Sequence, residues 1–133
     1  MRENLFRGKG DKRYNDGVWY YGVPIRDYEG DWQICTRNSK RTVIPETVGQ
    51  YIELPDKNGK KIFDGDIVRV LLSWDGDDVM DVGRVFYSEE LCGFYRTSKV
   101  FGGGCPSMTY TDEYEVIGNI FDDPELIGEK TND

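Results

Sequence analysis

Short apolar runs alternate with turn-forming residues along the chain, and the helical pattern is confined to brief stretches. Val18-Trp19-Tyr20-Tyr21-Gly22-Val23 is β-branched and aromatic, the composition that suits a pleated, half-buried surface. Asn15-Asp16-Gly17 before it is a turn signal, and Pro24 after it argues against a central ladder position there. Glu29-Gly30-Asp31 turns the chain into Trp32-Gln33-Ile34-Cys35-Thr36, where the two-residue period puts Trp32, Ile34 and Thr36 on one face. These two runs read as a hairpin. Val43 to Leu54 reads as a turn opened by Pro45-Glu46 and followed by a short strand.

Beyond Pro55 the punctuation sharpens. Asn58-Gly59 accepts the positive φ angles of a tight reversal, and Asp64-Gly65-Asp66 makes another. In the strand from Asp66 to Trp74, Val68, Val70, Leu72 and Trp74 form an apolar face, whereas Ile67, Arg69, Leu71 and Ser73 are mixed, so one face meets the core. Asp75-Gly76-Asp77-Asp78 reverses the chain into a strand from Val79 to Tyr87, with Gly83 expected to mark a bulge or bend. Phe94 to Val100 and Tyr114 to Ile120 are further strands, separated by the loop Gly102-Gly103-Gly104-Cys105-Pro106. Proline at the first position of Pro124-Glu125-Leu126-Ile127 predicts one helical turn, and the tail after Gly128 is expected to fray.

Close-spaced short strands with tight turns predict an all-β protein. The expected organisation is an N-terminal aromatic β-hairpin lobe over residues 1–54, a small SH3-like β-barrel over 55–121, and a short helical turn with a frayed tail over 122–133.

Composition narrows the classes. At 133 residues there is room for one core or two small lobes. No apolar run approaches a membrane span, and Met1-Arg2-Glu3-Asn4 leads into charge rather than a signal-peptide core, so no membrane association and a cytoplasmic location are expected. Three cysteines, Cys35, Cys92 and Cys105, are odd in number and far apart, which suits reduced thiols. Of these, Cys105 in the glycine loop is the one expected to be exposed. The net charge of −8 is uneven: residues 1–55 carry nine Lys/Arg against eight Asp/Glu, and residues 56–133 carry eight against seventeen. An acidic second half repels phosphate and disfavours nucleic acid as a partner. The one basic cluster is Arg2, Arg7, Lys9, Lys12 and Arg13, within which Arg7, Lys9, Lys12 and Arg13 are the candidate nucleic-acid contacts.

The blocks Phe6-Arg7-Gly8-Lys9, Trp19 to Gly22, Val43 to Tyr51, Asp56-Lys57-Asn58-Gly59-Lys60, Ile62 to Val68, Glu115 to Ile120 and Asp123 to Leu126 follow one another in an order that resembles the YopX family of bacteriophage and prophage proteins. The resemblance covers nearly the whole chain. It implies a phage or prophage gene product, rich in β-structure and self-associating, and it brings no reaction with it. One departure is Ile52-Glu53-Leu54 where the family usually shows Thr-Gly-Leu, with Pro55 replacing a lysine. The loss of that glycine suggests a turn made differently here.

Candidate chemistry is sparse. The chain has no histidine, which removes Ser-His and Cys-His nucleophile pairs and most catalytic zinc sites. Asp75, Asp77, Asp78 and Asp81 are the densest acidic group, but their spacing is not that of a calcium loop, and they read as a solvated turn. Asp64 and Asp66 could serve a hydrolase as paired carboxylates, yet they read first as turn residues bonding the local backbone. No metal or other cofactor and no catalytic residue is therefore assigned. Trp19, Tyr20, Tyr21, Tyr28 and Trp32 crowd the first lobe, and a strand cannot hide both of its faces unless each is covered. Trp19, Tyr21 and Trp32 are the expected partner-binding residues, for a second copy of the chain or for a host or phage protein. The alternative is a factor of nucleic-acid metabolism, binding through the basic N-terminus or acting as an acidic decoy for a DNA-binding protein.

Overall fold

The computed structural model describes residues 4–14 and 17–128. The turn expected at Asn15-Asp16, the basic residue Arg2 and the tail after Gly128 lie outside the described residues. Nearly all of the regular structure is β, in two antiparallel sheets, and the chain divides into two units, Met1–Glu53 and Leu54–Asp133.

The first unit holds β1 (Phe6–Lys9), β2 (Trp19–Arg26), β3 (Trp32–Cys35), β4 (Lys40–Thr42) and most of β5 (Gly49–Pro55), laid side by side in the order β4-β3-β2-β1-β5. A single 3-10 turn, Pro45–Thr47, precedes β5, with proline at its start. The hairpin β2–β3 turns at Asp27–Asp31. There the Asp27 carboxylate accepts hydrogen bonds from the amides of Glu29 and Asp31, both at 2.9 Å.

Pro24 lies inside β2, and as expected it does not hold a central ladder position. β1 pairs with β2 only as far as Gly22, and β3 begins its pairing at Val23, so the missing N–H of Pro24 falls where β1 has already ended. Immediately after β4 the chain reaches back to β1. Gly10 bridges Val43, Asp11 N donates to Thr42 O and Ile44 N donates to Lys9 O. The curled sheet encloses Ile34 and Val43, which are 0% and 1% exposed. Two glycines permit this curl. A Cβ on Gly8 would lie 3.0 Å from Val43 Cβ, and one on Gly22 would lie 1.9 Å from the Cys35 carbonyl oxygen.

Near the end of β5, Glu53 stands at φ +69°. This left-handed conformation is strained for a residue other than glycine. Glu53 Oε1 is also buried without a hydrogen-bond partner among the described residues.

The second unit begins with the turn Asp56–Lys60 and continues through β6 (Lys61–Phe63), β7 (Asp66–Trp74), β8 (Asp77–Ser88), β9 (Gly93–Arg96) and β10 (Tyr114–Asn119). A 3-10 turn at Pro124–Ile127 follows, ended by Gly128 at φ +80°. Its main sheet has the order β10-β7-β8-β9. Asp75 and Gly76 both have positive φ, as a two-residue hairpin between twisted strands requires, and they connect β7 to β8. Val68 and Val70 are buried, whereas Arg69, Leu71 and Ser73 on the opposite face are exposed.

Two details differ from expectation. Pairing of β7 with β8 runs without interruption through Gly83, which makes no bulge. Glycine is needed there because the Thr97 carbonyl oxygen packs 1.8 Å from where a Cβ would stand. The register shift is instead in β10, between Val116 and Gly118. β9 also stops at Arg96 rather than running to Val100, because Ser98, Lys99 and Val100 turn to bond a side chain of β8.

Candidate functional site

Strand geometry sorts the aromatic residues of the first unit. Along β2 the two-residue alternation puts Trp19, Tyr21, Val23 and Ile25 on one face, opposite Lys9, Arg7, Cys35 and Gln33 of the neighbouring strands. This is the face away from Ile34. Tyr21 and Val23 remain 49% and 50% exposed in the middle of the stripe, and Val18, just before it, is exposed as well. Trp19 is half-buried, with the guanidinium of Arg7 4.6 Å from its ring centroid.

Trp32 does not join this stripe. It pairs with Arg26 on the other face of the sheet, and the Arg26 guanidinium lies 5.6 Å from its ring. Of the three expected partner-binding residues, the fold therefore brings Trp19 and Tyr21 together and sets Trp32 apart. Val23 is the residue that sequence reasoning passed over, although it continues the period begun at Trp19 and Tyr21.

The basic cluster is dispersed in role. Arg7 is buried, at 5% exposure, against Trp19. Lys9 shares the outer face, with its amide bonded to Thr47 Oγ1 at 2.8 Å. Lys12 is exposed in the turn that follows β1. Arg13 is gripped by Asp11, with Nε and Nη2 at 3.2 and 2.9 Å from the two carboxylate oxygens. That paired hydrogen bonding raises the pKa of Arg13 and lowers that of Asp11.

The carboxylates of Asp56 and Asp66 are bound to the backbone. Asp56 Oδ1 accepts from the amides of Asn58 and Lys60 at 2.9 and 2.8 Å, and its Oδ2 accepts from Val116 at 3.0 Å. Burial pushes its pKa up, and these three amides more than reverse that, leaving it below the ordinary carboxylate value. Asp66 accepts from the Phe63 amide at 2.8 Å and is 1% exposed. Such groups already spend their lone pairs on holding turns.

Asp81 leaves the acidic group in which the sequence placed it. The alternation of β8 turns Asp81, Gly83 and Val85 inward, so Asp81 is 0% exposed while Asp75, Asp77 and Asp78 stay in solvent. It accepts from Arg96 Nη1 and Ser98 Oγ, both at 2.6 Å, and from the amides of Val82, Lys99 and Val100. Burial pushes its carboxyl pKa up, but the bonds from Ser98, Arg96, Lys99 and Val100 outweigh this and bring it to about 2. Among the described residues no cluster of three or more His, Cys, Asp or Glu could hold a metal ion. Cys92 is exposed as well as Cys105, because it sits in the β8–β9 connection at φ +54°.

The stripe on β2 is thus the feature of the first unit that its own packing leaves unexplained. No helix among the described residues is long and apolar enough to cross a membrane. None of the curated proteins compared with the chain matches it. The family model described as YopX protein matches residues 6–128, and the chain, with its ordered turn blocks and paired sheets, belongs to the YopX family.

Proposed function

We propose that this protein is a non-enzymatic accessory protein of a phage or prophage that acts by binding protein, either a second copy of itself or a partner, through the outer face of β2. The supporting observation is the continuous stripe of Trp19, Tyr21 and Val23, two of whose members keep about half of their surface in solvent. Aromatic side chains bury large area at low entropic cost, and residues of this kind dominate interface energetics. The arrangement of the basic residues counts against direct phosphate binding, since Arg7 is buried and Arg13 is already paired with Asp11.

Size-exclusion chromatography with light scattering over a concentration series tests this reading, alongside affinity capture with the full-length chain as bait. Tyr21→Ser combined with Val23→Asp should abolish association while leaving the thermal transition in place, because both side chains are exposed. A chain that is monomeric at every concentration and captures no protein overturns the reading.

A further inference from the structure

The second unit carries a groove of about 370 Å³ on the exposed face of β7, edged by the Asp56–Lys60 turn and the turn before β10. Its floor is apolar. Leu71 and Met80 stand directly opposite each other in the β7–β8 ladder and are 57% and 53% exposed. At one end are two cations. Arg69 Nη2 lies 2.6 Å from Glu115 Oε1, and Lys57 Nζ lies 3.1 Å from Glu115 Oε2, so one carboxylate is shared between two positive side chains. Bonds from Lys57 and then Arg69 hold the Glu115 pKa below its ordinary value. The acidic Glu113 lines the same groove and is exposed. Both cations keep nearly half of their side-chain surface in solvent, at 47% for Lys57 and 46% for Arg69.

The groove thus combines two cations, a hydrophobic pad, and an acidic lip formed by Asp112 and Glu113. The volume falls in the range of about 300–1,000 Å³ typical of ligand pockets. A polyphosphate would meet the acidic lip, and a purely apolar ligand would leave the cations unused. Arg69 and Leu71 are two residues apart on one strand face, roughly 6.6 Å by strand geometry. That spacing suits a terminal carboxylate and the side chain of the residue that bears it.

We infer that the groove binds the C-terminus of a peptide that ends in an apolar residue preceded by a basic one. The terminal carboxylate lies between Lys57 and Arg69, the last side chain rests on Leu71 and Met80, and the basic side chain meets Glu113. Glu115 occupies the carboxylate's place in the free protein and competes with it. Two cations shared by two carboxylates bind each less tightly than they bind one. The site is separate from the β2 stripe and stands or falls independently of it.

The test is titration calorimetry and NMR titration of the intact chain with the peptide acetyl-Gly-Gly-Lys-Leu carrying a free carboxylate. The same peptide as its C-terminal amide, and free leucine, serve as comparators. The free-acid peptide should shift the resonances of Leu71 and Met80 and bind at least tenfold more tightly than the amide. Free leucine brings its ammonium against the two cations and should also bind at least tenfold more weakly. Arg69→Gln should weaken the free-acid peptide about tenfold, the loss of one charge-assisted contact. Glu115→Gln should tighten it several-fold, an increase that a misfolded variant could not give. Equal binding of acid and amide, binding of leucine as tight as the peptide, or no shift at Leu71 and Met80 overturns the proposal.

Discussion

Arg96 donates from Nη1 to Asp81 Oδ2 at 2.6 Å, and the two residues are 1% and 0% exposed. The pair fastens β9 to β8 and, through Ser98, Lys99 and Val100, sets the path of the chain beyond it. Removing one partner strands the other as an uncompensated buried charge. Asp81→Asn is therefore expected to cost about 3–5 kcal/mol. Replacing both residues, as Asp81→Leu with Arg96→Met, should cost less than the single change. Urea denaturation of the single and double variants measures both.

The same carboxylate gives the protein an acid limit. Its pKa falls from 3.8 to about 2 on folding, so the unfolded chain takes up this proton first as the pH drops. The stabilisation is fully present above the unfolded value and is lost as pH falls from about 4 through about 2. Its size is on the order of 2 kcal/mol at neutral pH. Midpoints of urea unfolding from pH 6 to pH 2 should show this loss, and Asp81→Asn should flatten the profile in that window.

Two glycines of similar appearance in the sequence should respond to very different degrees. Gly83→Ala would drive a Cβ to 1.8 Å from the backbone oxygen of Thr97, which cannot swing aside. A loss of about 3 kcal/mol or more is expected, as for severe overpacking. Gly76 has open space around it, and only its φ of +86° opposes a side chain, so Gly76→Ala should cost about 1 kcal/mol. Thermal melts of the two variants separate the cases.

Glu53→Gly should stabilise the protein. The strain of a side chain at φ +69° and the unpartnered buried Oε1 both disappear, partly offset by the greater freedom of glycine in the unfolded chain. A net gain of about 0.5–1 kcal/mol is expected from these terms. The measurement is the chemical denaturation midpoint at constant slope.

Local signals were legible in the sequence where the chain makes its own turn. Asn58-Gly59, Asp64-Gly65 and Asp75-Gly76 each reverse the backbone through residues that tolerate positive φ, and each lies where expected. The three- and four-residue strands β1, β4 and β6 carry little intrinsic preference, and they are strands because partners pair with them. Asp81 looked like one more acid of an exposed turn. Its partner lies fifteen residues on, in another strand, and only the register of β8 reveals that it points inward. Trp19, Tyr21 and Trp32 could be named as aromatic neighbours, but the β2–β3 pairing decided which of them share a face. The groove on β7 had no signature at all, since Lys57, Arg69 and Leu71, Met80, and Glu115 come from one turn and three strands spread along the sequence.

β7 lies between β8, which follows it at once, and β10, which is the last strand among the described residues. During synthesis the β7–β8 hairpin can close early, yet the other edge of β7 keeps its amides and carbonyls unsatisfied until Tyr114–Asn119 has left the ribosome. An open edge of this kind recruits other extended chains. A polypeptide that ends before Tyr114 consequently leaves that edge of β7 uncovered, and β10 is the strand that closes it.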